Sequence, residues 1–187
     1  MDKGCCLNVR DYGAIGNGVK DDTKAIQATE DAASGFGGVV FFPPGTYIID
    51  GGKHVVPDPQ MNPNGIRRYG IYKKSNTRWT GCGISSSILK LKDNSTLDKI
   101  DPQKVVDPQI IYANAKLTDI GFYRLGFDLN GDNNRLATLA NAAAIWLDGD
   151  KLEVHGMVIE DCKFYNGPGA TVILVQNRSN LWRGYPL

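Results

Sequence analysis

Four segments of this chain repeat one another: Ile71–Gly81, Ile111–Gly121, Ile145–Gly156 and Ile173–Trp182. Each reads as a short apolar strand, a turn rich in Asn, Asp, Gly or Ser, and a second short strand. Their starts lie about 28 to 40 residues apart, the spacing of stacked coils joined by loops of unequal length. A single unit of this kind cannot bury its apolar face, and the core forms only when the next unit stacks on it. Leu125–Gly131 and Cys162–Gly167 also resemble each other, and each ends in Asn-Gly. A β-sandwich of hairpins would use the same turn residues, but its turns come about every 8 to 12 residues and rarely keep such an internal order.

The first fifty residues carry a second, continuous signal. Asn8–Tyr12 alternates polar and apolar side chains, as a half-buried strand does, and Gly13, Gly16, Asn17 and Gly18 then allow a sharp reversal. Asp21 and Asp22 stand where a helix takes its N-caps, and Ala25, Ile26, Thr29, Ala32 and Ala33 share one face of a helix. Gly35, Gly37 and Gly38 end it. Val39–Phe42 follows as a strand apolar on both faces, and Pro43-Pro44-Gly45 separates it from a second strand, Thr46–Ile49. A generic α/β unit with a dinucleotide loop is the alternative, although these glycines do not have the spacing of a phosphate-binding fingerprint.

This order of motifs resembles the N-terminal entry segment of the pectate-lyase superfamily, in the branch that holds rhamnogalacturonase-like enzymes, mannuronan C5-epimerases and many bacteriophage tailspikes. The resemblance implies an all-β fold: a right-handed parallel β-helix, or solenoid, with an N-terminal capping α-helix from Asp22 to about Ala33. The repeat count predicts about five incomplete coils. Residues 1–187 are expected to form one such domain and the N-terminal part of a longer protein, with the entry strand, capping helix and first coil in 8–50 and further coils with inserted loops in 69–187. The stretches Gly51–Arg68 and Asp93–Pro108 break the repeat as loops, and Arg135–Ala144 reads as a third insertion with one or two helical turns. Leu181–Leu187, with Trp182 and Tyr185, lacks a polar cap, so an open end and a homo-oligomer are expected, a trimer if tailspike-like.

Composition limits the partners. A net charge of +1 with no basic run argues against nucleic acid, and no apolar stretch is long enough to span a membrane. No signal-peptide pattern opens the chain. The resemblance places such a protein outside the cell or on a virion, with a polysaccharide as its partner. Cys5, Cys6, Cys82 and Cys162 have no metal-ligand spacing and read as reduced, small buried apolar residues.

The superfamily's catalytic sets are missing. The paired carboxylates of polygalacturonase-like hydrolases and the acid and arginine clusters of calcium-dependent lyases have no counterpart here. Asn166–Val172 stands where the epimerases carry Asp-Pro-His-Glu, without any of those side chains. No cofactor or metal is expected, since calcium would have no motif to hold it. The catalytic candidates that remain are Asp128, Asp132, Asp148 and Asp161, with Trp146, Tyr165 and Arg135 as substrate-binding candidates. Aromatic rings cover the apolar faces of sugars, and carboxylates bind their hydroxyls. The structural alternative for the acids is that Asp and Asn at solenoid corners satisfy turn backbone. His155 reads as solvent-facing or core-satisfied rather than catalytic. The resemblance thus implies binding and hydrolase or lyase chemistry on a polysaccharide by a full-length protein, with this stretch inactive alone, or a non-catalytic phage-tail adhesin.

Overall fold

Strands too short to be stable alone gain their core by stacking coil upon coil. The computed structural model describes residues 5–57, 66–96, 107–134, 142–149, 153–167 and 173–177. In chain order the elements are β1 (Cys6–Asn8), β2 (Asn17–Asp21), α1 (Thr23–Ser34), β3 (Val39–Phe42), β4 (Gly45–Ile49), β5 (His54–Pro57), β6 (Ile66–Tyr72) and β7 (Arg78–Gly81). There follow β8 (Ser87–Leu91), β9 (Pro108–Ala113), β10 (Leu117–Tyr123), β11 (Gly126–Asp128), β12 (Ala143–Gly149), β13 (Val154–Glu160), β14 (Lys163–Tyr165) and β15 (Ile173–Asn177).

Three sheets wrap one core. The first has the order β1-β3-β7-β10-β13, the second β14-β11-β8-β4-β2, and the third β15-β12-β9-β6-β5. Each full coil gives one strand to each sheet, and every pairing is parallel except β5 with β6. The fold is a parallel β-helix, and the repeated segments lie in register: Ile71 on Ile111, Ile111 on Ile145, Ile145 on Ile173. The likeness of Leu125–Gly131 to Cys162–Gly167 is likewise a register, with Phe127 on Phe164.

The interior is built of such ladders. Val40, Trp79, Phe122 and Ile159 stack through the first sheet, and Tyr47, Leu89, Phe127 and Phe164 through the second. Trp79 and Phe122 meet edge to face at 5.7 Å, while Phe127 and Phe164 stack at 4.8 Å. Helix α1 closes the N-terminal end, burying Ile26, Thr29, Glu30 and Ala33. The amide of Gln27 replaces a missing neighbour strand: Tyr72 N–H donates to its Oε1 at 2.7 Å and its Nε2 donates to Tyr72 O at 3.2 Å.

Several sequence expectations are corrected. The strand expected over Asn8–Tyr12 stops at Asn8, where the side chain accepts from Arg10 N–H and starts a 3₁₀ turn, Val9–Tyr12, closed by Gly13 at φ 98°. Asp22 takes the N-cap position, but its side chain makes no capping bond and holds the Ile15 and Gly16 amides at 2.8 and 3.0 Å instead, while Asp21 accepts from Thr23 N–H. Val39 and Phe41 are half-buried, so β3 has one partly wet face. Part of the Gly51–Arg68 loop is a strand, β5, antiparallel to β6. Ala143 and Ala144 belong to β12, Ala142 is buried just before it, and 135–141 lie outside the described residues. Cys5, Cys6 and Cys82 are exposed and Cys162 half-buried, because all lie at edges or corners rather than inside. Trp182 and Tyr185 lie outside the described residues.

Candidate binding face on the third sheet

Strand alternation puts the residue after an inward isoleucine on the outer face, and in three copies of the third sheet that residue is aromatic. Ile71, Ile111 and Ile145 point into the core, and Tyr72, Tyr112 and Trp146 follow them on the outer face. At Gly70 the chain also turns inward, since a Cβ there would meet Ile49 Cγ2 at 2.3 Å. Tyr69 therefore shares the outer face with Tyr72, three residues on.

The rings form a continuous array. His54 on β5 stacks on Tyr69 at 5.2 Å, and Tyr69 stacks on Tyr112 at 5.0 Å. Tyr72 approaches both tyrosines at about 6 Å between centroids and donates its hydroxyl to Asn114 Oδ1 at 2.8 Å. Beyond them the Arg67 guanidinium lies 4.1 Å from the Trp146 ring centroid. Trp146 Nε1 donates to Asp148 Oδ2 at 3.0 Å, and the same oxygen stands 3.9 Å from Arg67 Nη2. Arg67 and Asp148 are 3% and 2% exposed, so this outer face holds opposite charges withdrawn together from water. Burial and the neighbouring Tyr72 raise the pKa of the Tyr69 phenol, which keeps its proton through neutral pH and serves as a donor rather than a base. Chemically the accessible part of the face offers the exposed His54 and the half-buried rings of Tyr69 and Tyr72, surfaces of the kind that cover sugars, while Arg67 and Asp148 are spent on each other and on Trp146.

The residues singled out from the sequence separate into different places. Trp146 and Asp148 belong to this face. Asp128 and Tyr165 are register partners on the second sheet, where Asp128 Oδ1 accepts from Asn130 N–H at 2.8 Å and Asn166 Nδ2 at 3.1 Å. Lys90 Nζ is 3.9 Å from Asp128 Oδ2, and burial, with the Asp128 charge second, raises the Tyr165 phenol pKa. Asp132 is exposed in a 3₁₀ turn, Gly131–Asn133, and Asp161 is exposed at a left-handed corner between β13 and β14, φ 49°. Arg135 lies outside the described residues. His155 is exposed, 3.6 Å from Glu153. Sequence reasoning passed over His54, Arg67, Tyr69, Tyr72 and Tyr112, although the aligned repeat held the signal: Ile-Tyr, Ile-Tyr and Ile-Trp begin its first three copies.

Among the described residues, no group of three or more His, Cys, Asp or Glu side chains is placed to hold a metal ion, and no helix is long and apolar enough to cross a membrane. A parallel solenoid with a helical N-terminal cap and an aromatic, charged outer sheet is the architecture of pectate-lyase-like β-helix proteins. The chain belongs to the rhamnogalacturonase A/epimerase, pectate lyase-like family, whose profile matches residues 6–182. It is 35% identical to mannuronan C5-epimerase AlgE1 of Azotobacter vinelandii over 127 residues, which are 67% of this chain and 8% of that protein. The A-module of the Azotobacter vinelandii mannuronan C-5 epimerase AlgE6 superposes with a TM-score of 0.54 at 24% identity, over 83% of this chain and 41% of the module. The Streptococcus pneumoniae surface protein and adhesin PfbA superposes with a TM-score of 0.54 at 19% identity, over 85% of this chain and 41% of that one. The chain therefore spans less than half of each of these proteins, and the two superpositions bear on the fold alone.

Proposed function

We propose that this chain supplies a glycan-binding face to a β-helix protein that binds and degrades an acidic polysaccharide, by hydrolysis or elimination, outside the cell or on a virion. The observation that carries this reading is the outer face of the third sheet, where the exposed His54 and the half-buried Tyr69 and Tyr72 line a row of rings. The relationship to a mannuronan epimerase supports a uronate as the sugar class. Affinity electrophoresis tests it: the chain is expected to be retarded in gels containing polymannuronate and not in gels containing a neutral glucan. Equal mobility in both contradicts the reading.

The engagement of the acids favours a second reading, binding without turnover. Asp128 is bonded to Asn130 and Asn166, and Asp148 to the indole of Trp146, so neither carboxylate is held ready for proton transfer. An adhesin of this fold would bind the polysaccharide and release no product. Assays for new reducing ends and unsaturated uronate on the whole protein separate the two, and retardation without product selects the adhesin.

A further inference from the structure

The first sheet carries a second array, on another side of the solenoid. Two aromatic rings lie against glycine backbone there: a Cβ on Gly38 would meet Phe36 Cε2 at 2.5 Å, and a Cβ on Gly121 would meet Tyr123 Cε2 at 2.5 Å. The rings of the third sheet stack on one another; these two have no ring partner among the described residues, and Phe36 is 50% exposed. Between them, in register with Gly121, stands Arg78 on β7, whose N–H donates to Gly38 O at 3.2 Å. The two glycines are thus two strand spacings apart, roughly 10 Å.

An open pocket of about 370 Å³ lies at this place, lined by Ser34, Phe36, Asn76, Arg78 and Asp119 among others. Three of its lining residues, Gly37, Asn76 and Asp119, are left-handed, with φ of 76°, 60° and 50°. Comparable polar side chains elsewhere bond to backbone: Asn8 to Arg10, Asn17 to Val19, Asp22 to Ile15, Asp128 to Asn130. Among the described residues, the side chains of Asn76, Arg78 and Asp119 make no hydrogen bond or ion pair, with each other or with backbone. Opposite charges, an amide and the Phe36 ring converge on one pocket with their bonding capacity unused, and the Tyr123 ring lies beside it over Gly121, the register partner of Arg78.

We infer that this pocket is a second subsite for an acidic oligosaccharide: the Arg78 guanidinium takes a uronate carboxylate, Asp119 and Asn76 take hydroxyls, and Phe36 and Tyr123 underlie sugar rings. Only the ligand class rests on the reading given above; the location rests on the pocket itself. Titration calorimetry with a mannuronate hexasaccharide tests it, in a Tyr69→Ala background that weakens the third sheet. Arg78→Ala is expected to weaken binding about tenfold, and Phe36→Ala about fivefold. Both residues are exposed, so the variants keep the fold. Cellohexaose, which lacks carboxylates, should bind at least about tenfold more weakly than the mannuronate, and Arg78→Ala should not lower that further. Full binding kept by Tyr69→Ala and lost with Arg78→Ala supports this pocket and counts against the third sheet. Unchanged affinity in both pocket variants overturns it, as does loss of all binding in Tyr69→Ala alone.

Discussion

Glu30 fastens the capping helix to the first coils, and its surroundings make it the most sensitive single residue. It is fully buried: Oε1 accepts from Lys73 Nζ at 3.0 Å, Lys74 N–H at 2.8 Å and Thr77 Oγ1 at 2.7 Å, and Oε2 accepts from Trp79 Nε1 at 2.6 Å. Removing one partner strands the other's charge, so Glu30→Ala should cost about 3–5 kcal/mol in urea unfolding. Glu30→Leu with Lys73→Met should recover most of that, and an equally unstable double variant would contradict the account. Burial lowers the Lys73 pKa from its ordinary 10.5, against the pull of Glu30. Between the lowered folded value and 10.5 the unfolded chain binds more protons, so this group makes stability rise with pH. Measured as wild type minus the double variant, the stability difference should climb with pH in the alkaline range up to 10.5. A falling difference would contradict the sign. The helix stripe was legible in the sequence, but the meaning of an acid on it was not, since the partner Lys73 is 43 residues away.

At the scale of elements, the repeat was legible because stacking forces equivalent residues into register, and the isoleucine ladder records this directly. The entry motif was legible for the same reason: its glycines sit at φ 98°, 68° and 76° at Gly13, Gly16 and Gly18, where side chains are disfavoured. What stayed hidden depends on contacts across coils. The antiparallel β5 and the inward turn at Gly70 are set by β6 and by Ile49 rather than by local pattern. Asp128 and Asp148 looked alike in sequence and lie on different sheets, the second and the third. Close stacking also sorts the glycines. A Cβ on Gly126 would lie 2.4 Å from Ile84 O, whereas one on Gly35 would sit 3.5 Å from Ala32 O. Gly126→Ala should therefore cost about 1–3 kcal/mol, and Gly35→Ala less than about 0.5 kcal/mol. Similar thermal shifts for the two would contradict the packing argument.

For the whole molecule, the last described coil differs from the one before it. Met157, Ile159, Cys162 and Phe164 are half-buried, whereas Ile120, Phe122, Leu125 and Phe127 one coil earlier are at most 1% exposed. Ile173 and Val175 are 37% and 49% exposed. Among the described residues β13, β14 and β15 have no strand on their far side, and such edges pair with other chains. Sedimentation velocity of the 187-residue chain should show association that grows with concentration; a monomer at every concentration would contradict this. Hydrogen–deuterium exchange with and without polymannuronate tests whether the outer face of the third sheet binds an acidic polysaccharide. The expected result is slowed exchange in β5 and β6 around His54, Tyr69 and Tyr72, and unchanged exchange in both strands at saturating polysaccharide would contradict it.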